Sequence, residues 1–96
     1  MFVIDLKYIV PLEKLDAHMP SHVKHLQTYY KQNVFVVSGR KVPRTGGIIL
    51  AHRVSKEELN RIMQEDPFIK LNLAEFTITE FLTSQVHPGM KAFLRA

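Results

Sequence analysis

The short string HMPSHVKH, residues 18–25, carries three of the chain's five histidines, His18, His22 and His25. Spacings of four and three residues can place side chains on one face of a helix, and imidazole is the side chain whose charge changes closest to neutral pH. Two chemistries fit, metal ligation and general acid–base catalysis. Pro20 argues against the first. It suits the first turn of a helix, which leaves His18 outside, and no nearby carboxylate completes a ligand set. No metal site is expected. His22 stands at the border of the helix's apolar stripe, where a neutral imidazole can act as a base or simply line the core. The residues alone leave both readings open.

A carboxylate that could work with such a base occurs in QEDPF, residues 64–68. Asp66 precedes a proline after a helical stretch, and aspartate at the cap followed by proline at the first helical position is a preferred helix start. On local grounds Asp66 is a cap. A third cluster is Ser38 with the loop GRKVPRTGG, residues 39–47. A serine at a strand end before Gly39 can present its hydroxyl and adjacent N–H groups to a ligand, and Arg40 or Arg44 can hold a carboxylate bidentately. There is no nucleophile elbow and no phosphate loop. The alternative is a solvated hairpin loop whose glycines serve backbone geometry only.

These groups need elements to position them. Phe2, Ile4, Leu6, Tyr8 and Val10 alternate with Val3, Asp5, Lys7 and Ile9, which predicts a strand over 2–10 with one strongly apolar face. LEKLDAHM forms a turn of helix before a longer one from Pro20 to about Gln32. There Val23, Leu26 and Tyr30 form the buried face, His25 points away from it, and Asn33 is the C-cap. VFVVS, residues 34–38, is a nearly all-apolar strand expected to be buried on both faces. A long connection leads to a second strand, IILAHRV, over 48–54. Ser55 with Glu58 three residues later is a capping box, and Leu59, Ile62 and Met63 are the inward face of the helix it starts. DPFIK makes one further turn of helix before LAEFTITEFL, an alternating strand.

The order β-α-β-β-α-β is that of an α+β, ferredoxin-like split βαβ with an antiparallel sheet and both helices on one face. Val3, Ile9, Thr77 and Phe81 fall on the other face, which is too apolar to leave bare. Pairing of two sheets in a homodimer, with a barrel-like interior, covers it. The segment 84–96 has no assigned element, and Met90, Phe93 and Leu94 suggest that it packs on something, a partner subunit included.

The chain has 96 residues, enough for one modest core. Its 46% hydrophobic and 23% charged composition is that of a globular chain. Cysteine is absent, which fits a reducing cytoplasm. The opening MFVIDLKYIV lacks a basic leader and is broken by Asp5 and Lys7, and no stretch approaches the ~20 apolar residues of a membrane span. The net charge of +4 is spread over scattered cations, so no nucleic-acid-binding stripe is formed.

Taken together, PSHVKHL, VVSGRKVPRTGGIILA, SKEELNRIMQEDPF and AEFTITEFL resemble the YciI-like (YCII-related) family over residues 1–83. The resemblance implies a ferredoxin-like domain that dimerises through sheet faces, as in muconolactone isomerase-like proteins. It also implies a site pairing a first-helix histidine, matched by His22, with the aspartate of the Asp-Pro-Phe segment, matched by Asp66. Ser38 matches a position in the same pocket. Arg40 departs from relatives that carry proline after the glycine and adds a cation near that pocket. At least one domain of this kind is a dehydrochlorinase acting on a chlorinated hydroxyquinol-type aromatic without an organic cofactor.

The expectation is a dimeric cytoplasmic protein doing acid–base elimination or isomerisation on a small aromatic or lactone-like molecule. His22 and Asp66 would be catalytic, and Ser38, Gly39 and Arg44 would contact the ligand. No cofactor, nucleic acid or membrane partner is expected. The competing expectation is a non-catalytic dimeric module that binds a metabolite or assembles with another protein. No role is assigned to His18, His25, His52 or His87.

Overall fold

The alternating residues Phe2, Ile4 and Leu6 all project to one side of strand β1 (Phe2–Tyr8) and are at most 3% exposed. This is seen in a computed structural model of the chain, which describes residues 1–95. The remaining elements are α1 (Leu12–Asp16), α2 (Met19–Lys31), β2 (Phe35–Arg40), β3 (Gly46–Ala51), α3 (Lys56–Gln64), α4 (Pro67–Lys70) and β4 (Ala74–Glu80). A 3₁₀ turn (Pro88–Met90) and α5 (Lys91–Arg95) follow.

The four strands form an antiparallel sheet in the order β2-β3-β1-β4, compatible with a ferredoxin-like fold. Register fixes the helix-covered face. Ile4 lies opposite Ile49 and Ile78, and Leu6 lies opposite Gly47 and Phe76. These side chains meet Tyr29 of α2 and Leu59, Ile62 and Met63 of α3 in one core. Burying each such aliphatic side chain stabilises the fold by roughly 1.5–3 kcal/mol. A second cluster, Leu15, Phe68, Leu73 and Ala74, seats α4.

Ser55 caps α3 as expected, whereas the C-cap of α2 is Gln32, one residue before the expected Asn33. The Ser55 hydroxyl accepts from the Glu58 N–H at 3.1 Å. Asn33 takes φ 64°, and the Val34 N–H closes α2 on the Tyr29 carbonyl at 2.9 Å. Gly46 is required by proximity, since a Cβ there would lie 1.8 Å from the Leu6 carbonyl oxygen.

Three expectations need correction. On α2 the buried residues are His22, His25 and Tyr29, whereas Val23 and Tyr30 are 39% and 37% exposed. The helix is turned so that His22, His25 and Tyr29 face inward, because each finds a hydrogen-bond partner there. His25 therefore points into the protein, not away. Second, β2 is an edge strand, and Val37 is 52% exposed. Its apolar run covers only one face of the sheet, with an irregularity between Phe35 and Val37. Third, the hairpin connection is shorter than expected, because β2 runs on to Arg40 and β3 already starts at Gly46.

The open face of the sheet carries Val3, Ile48, Leu50 and Val37 beside Thr77, Thr79 and an Asp5–Lys41 ion pair of 2.6 Å. The tail returns to its own chain, where Phe93 stacks on His52 at 5.6 Å between ring centroids.

Candidate active site

The chain leaves α3 at Glu65 and restarts immediately in α4, with Asp66 as the N-cap between them. Its Oδ1 accepts the Phe68 N–H at 2.9 Å, as the sequence demands. Yet Asp66 is 0% exposed, an extreme position for a carboxylate whose only task is a four-residue helix. A buried carboxylate is tolerable only when further donors compensate it.

His22 is that compensation. From α2, 44 residues earlier in the chain, its Nδ1 lies 3.0 Å from both Asp66 oxygens. A carboxylate can only accept, so Nδ1 carries the hydrogen of this bond, and in the neutral imidazole the lone pair is left on Nε2. One carboxylate thus holds both the start of α4 and the tautomer of His22. Oδ1 does both jobs, and Oδ2 also faces the imidazole.

Two further residues complete this arrangement. The Phe68 ring lies flat on the His22 ring, with centroids 4.0 Å apart and planes 5° from parallel. His25 Nε2 donates to the Ile62 carbonyl at 2.9 Å, while its buried Nδ1 has no partner and lies 4.0 Å from Asp66 Oδ2. The histidine spacing marks His25 only as a candidate metal ligand, and no role beside His22 follows from it. Phe68 is placed near the site by its position two residues after Asp66.

His22 opens onto a cavity of about 480 Å³ between α2 and the β2–β3 part of the sheet. This size suits a small organic molecule. Its apolar wall includes Leu6, Met19, Val23, Leu26 and Ile49; Ser38, Gly39, Arg40, Arg44, Tyr8 and Asp16 also line it. All the residues expected at a ligand site thus border one space, with Asp66 directly behind His22. The Ser38 hydroxyl is bonded to the Tyr30 hydroxyl at 2.6 Å. Arg44 pairs with Asp16 at 2.6 Å. That bond holds the Asp16 carboxyl below its ordinary range and keeps the guanidinium protonated.

The other histidines lie elsewhere. His18 caps α2 through its backbone, His52 follows β3 beneath Phe93, and His87 caps the 3₁₀ turn. Among the described residues no group of three or more histidine, aspartate or glutamate side chains is arranged to hold a metal ion, and no helix is long and apolar enough to cross a membrane.

A sequence model of the YCII-related domain matches residues 1–82. Among solved structures, the chain is similar to 5-chloro-2-hydroxyhydroquinone dehydrochlorinase from Burkholderia phenoliruptrix, determined in complex with 2,5-dihydroxybenzoquinone. The two are 17% identical with a TM-score of 0.72, over 88% of this chain and 96% of that one. At this identity the likeness shows a shared fold. No curated protein matches the chain.

Proposed function

The chain belongs to the YCII-related family, and from that premise we propose that it is a small-molecule enzyme moving protons with a His22–Asp66 pair. The observation that carries this is the 3.0 Å contact of His22 Nδ1 with a fully buried carboxylate, while the same imidazole borders an open cavity. A histidine held only for packing has no need of an ionisable partner and an accessible face together. The structural neighbour, an enzyme that binds a hydroxylated six-membered ring, supports the small-molecule reading.

In this reading His22 Nε2 takes a proton from an O–H or activated C–H of the ligand. Asp66, already bonded to the Nδ1–H, stabilises the imidazolium. The proton then returns to a different ligand atom, giving isomerisation, or leaves with a departing group, giving elimination. Ser38, the Gly39 backbone and Arg44 orient the ligand. Phe68 and Asp66 fix the imidazole plane before the ligand arrives, so little reorganisation accompanies the reaction.

We also propose that two copies associate through the open sheet face. Val3, Ile48, Leu50 and Val37 form its apolar half, and an exposed apolar surface of this kind favours self-association. Light scattering behind size-exclusion chromatography tests this, and a monomer at micromolar concentration contradicts it.

The functional test is a turnover screen over chlorinated and hydroxylated aromatics and small lactones. Any activity found in the wild type should be lost in His22→Ala while the fold is retained. Full activity in that variant ends the assignment.

A further inference from the structure

The cavity wall contains two guanidinium groups but uses only one of them internally. Arg44 is neutralised by Asp16. Arg40 lines the same cavity and forms no ion pair among the described residues. Arg40 is exposed, at the end of β2. In register it stands opposite Gly47, on the same face of the sheet as Phe35, Ile49 and Leu6, which is the face the helices cover.

Gly47, its partner in register, puts no side chain beside Arg40, and a Cβ there would crowd the Gly39 carbonyl oxygen at 3.2 Å. The lining carboxylate is Asp16, already engaged, and Asp66 is sealed behind His22. The lining therefore carries an uncompensated positive charge, that of Arg40, next to an apolar wall. Solvent screens part of that charge, so the selectivity comes from the two-point planar geometry of the guanidinium as well as from its sign.

We propose that Arg40 is a specificity residue, and that the ligand taken by the His22 cavity is a monocyclic or similarly small molecule bearing a carboxylate. The inference rests on the proton-transfer reading of the same site and adds the class of substrate. The planar guanidinium binds the carboxylate bidentately, the apolar wall takes the ring, and the exchangeable proton of the ligand faces His22 Nε2. A residue that pairs an anion in this way sets which molecule is turned over. It leaves the acid–base pair itself untouched.

The test compares benzoate with benzamide, its neutral counterpart, titrated into the full chain and followed by NMR of the His22 ring and the cavity amides. Benzoate should bind about tenfold or more tightly than benzamide. Arg40→Gln should abolish that preference, Arg40→Lys should restore part of it, and added salt should weaken benzoate alone. Equal binding of the two probes overturns the proposal, as does unchanged benzoate affinity in Arg40→Gln or failure of both probes to move the cavity signals. Activity measured in His22→Ala judges the parent reading separately, so the two can fail independently.

Discussion

Phe68 covers one face of the His22 imidazole at 4.0 Å, nearly parallel to it, while Asp66, two residues earlier, grips the same ring at its edge. The edge contact sets which nitrogen carries hydrogen, and the face contact sets the plane in which the other nitrogen points. Asp-Pro-Phe is therefore a compact device. The aspartate orients, the proline starts the helix, and the phenylalanine returns to stack.

Replacing the stacking ring separates orientation from bonding. Phe68→Leu keeps most of the buried volume and the Asp66 bond, so the fold should persist with a loss of turnover of about 10- to 100-fold from the freed imidazole plane. Phe68→Ala should cost about 3–5 kcal/mol by denaturant unfolding, because Phe68 is completely buried. Undiminished turnover in Phe68→Leu would remove the stacking role.

Asp66→Asn preserves the cap and the shape but can present an N–H to the imidazole, which favours the wrong tautomer. Stability should change by about 1 kcal/mol or less, since asparagine caps as well as aspartate, while turnover should fall by about 10²–10⁴-fold. Asp66→Ala should in addition lower stability by about 2–4 kcal/mol, from the lost cap and a buried Nδ1–H left without an acceptor. Steady-state kinetics beside thermal unfolding separate the two effects.

The glycines of the hairpin should differ sharply. Gly46→Ala forces a Cβ to within 1.8 Å of the Leu6 carbonyl and should destabilise the chain by several kcal/mol or prevent folding. Gly39→Ala meets nothing within 4 Å and should be within about 0.5 kcal/mol of wild type. It should also retain ligand binding, because Gly39 shares the outer face with Ile48 and a Cβ there points away from the cavity. Loss of binding in Gly39→Ala would contradict this outward orientation.

Acid should reveal His52. Burial, followed by the nearby Arg53 charge, lowers its pKa from the ordinary 6.5. A group that binds its proton more weakly when folded destabilises the fold wherever the unfolded chain is protonated. The penalty is absent well above pH 6.5 and grows as pH falls below it. Thermal unfolding from pH 8 to pH 5 should therefore show the wild type losing more stability than His52→Gln. Parallel curves would contradict the burial argument.

Much of this architecture is legible from residue patterns, for reasons that also explain the misreadings. The alternation of Phe2, Ile4 and Leu6 and the Ser55 cap are local signals, and local physics decides them. The inward face of α2 is not local. Hydropathy puts Val23 and Tyr30 inside and His25 outside, but His22 Nδ1, His25 Nε2 and the Tyr29 hydroxyl bond to Asp66, the Ile62 carbonyl and Glu65, partners far along the chain. An apolar run looks alike at the centre and the edge of a sheet, so the residues alone put Val37 in a buried strand. Asp66 was legible as a cap. Its second role needed His22, which only the family resemblance, and then the fold, brought to it.

The most direct test of the central claim is the tautomer of His22, read by ¹⁵N NMR of the imidazole near neutral pH with and without an added hydroxylated aromatic probe. The His22–Asp66 arrangement predicts hydrogen on Nδ1, a bare Nε2 that responds to the ligand, and loss of that pattern in Asp66→Asn. Hydrogen on Nε2 in the wild type, or an Nε2 signal indifferent to every cavity ligand, would contradict the proposed acid–base role.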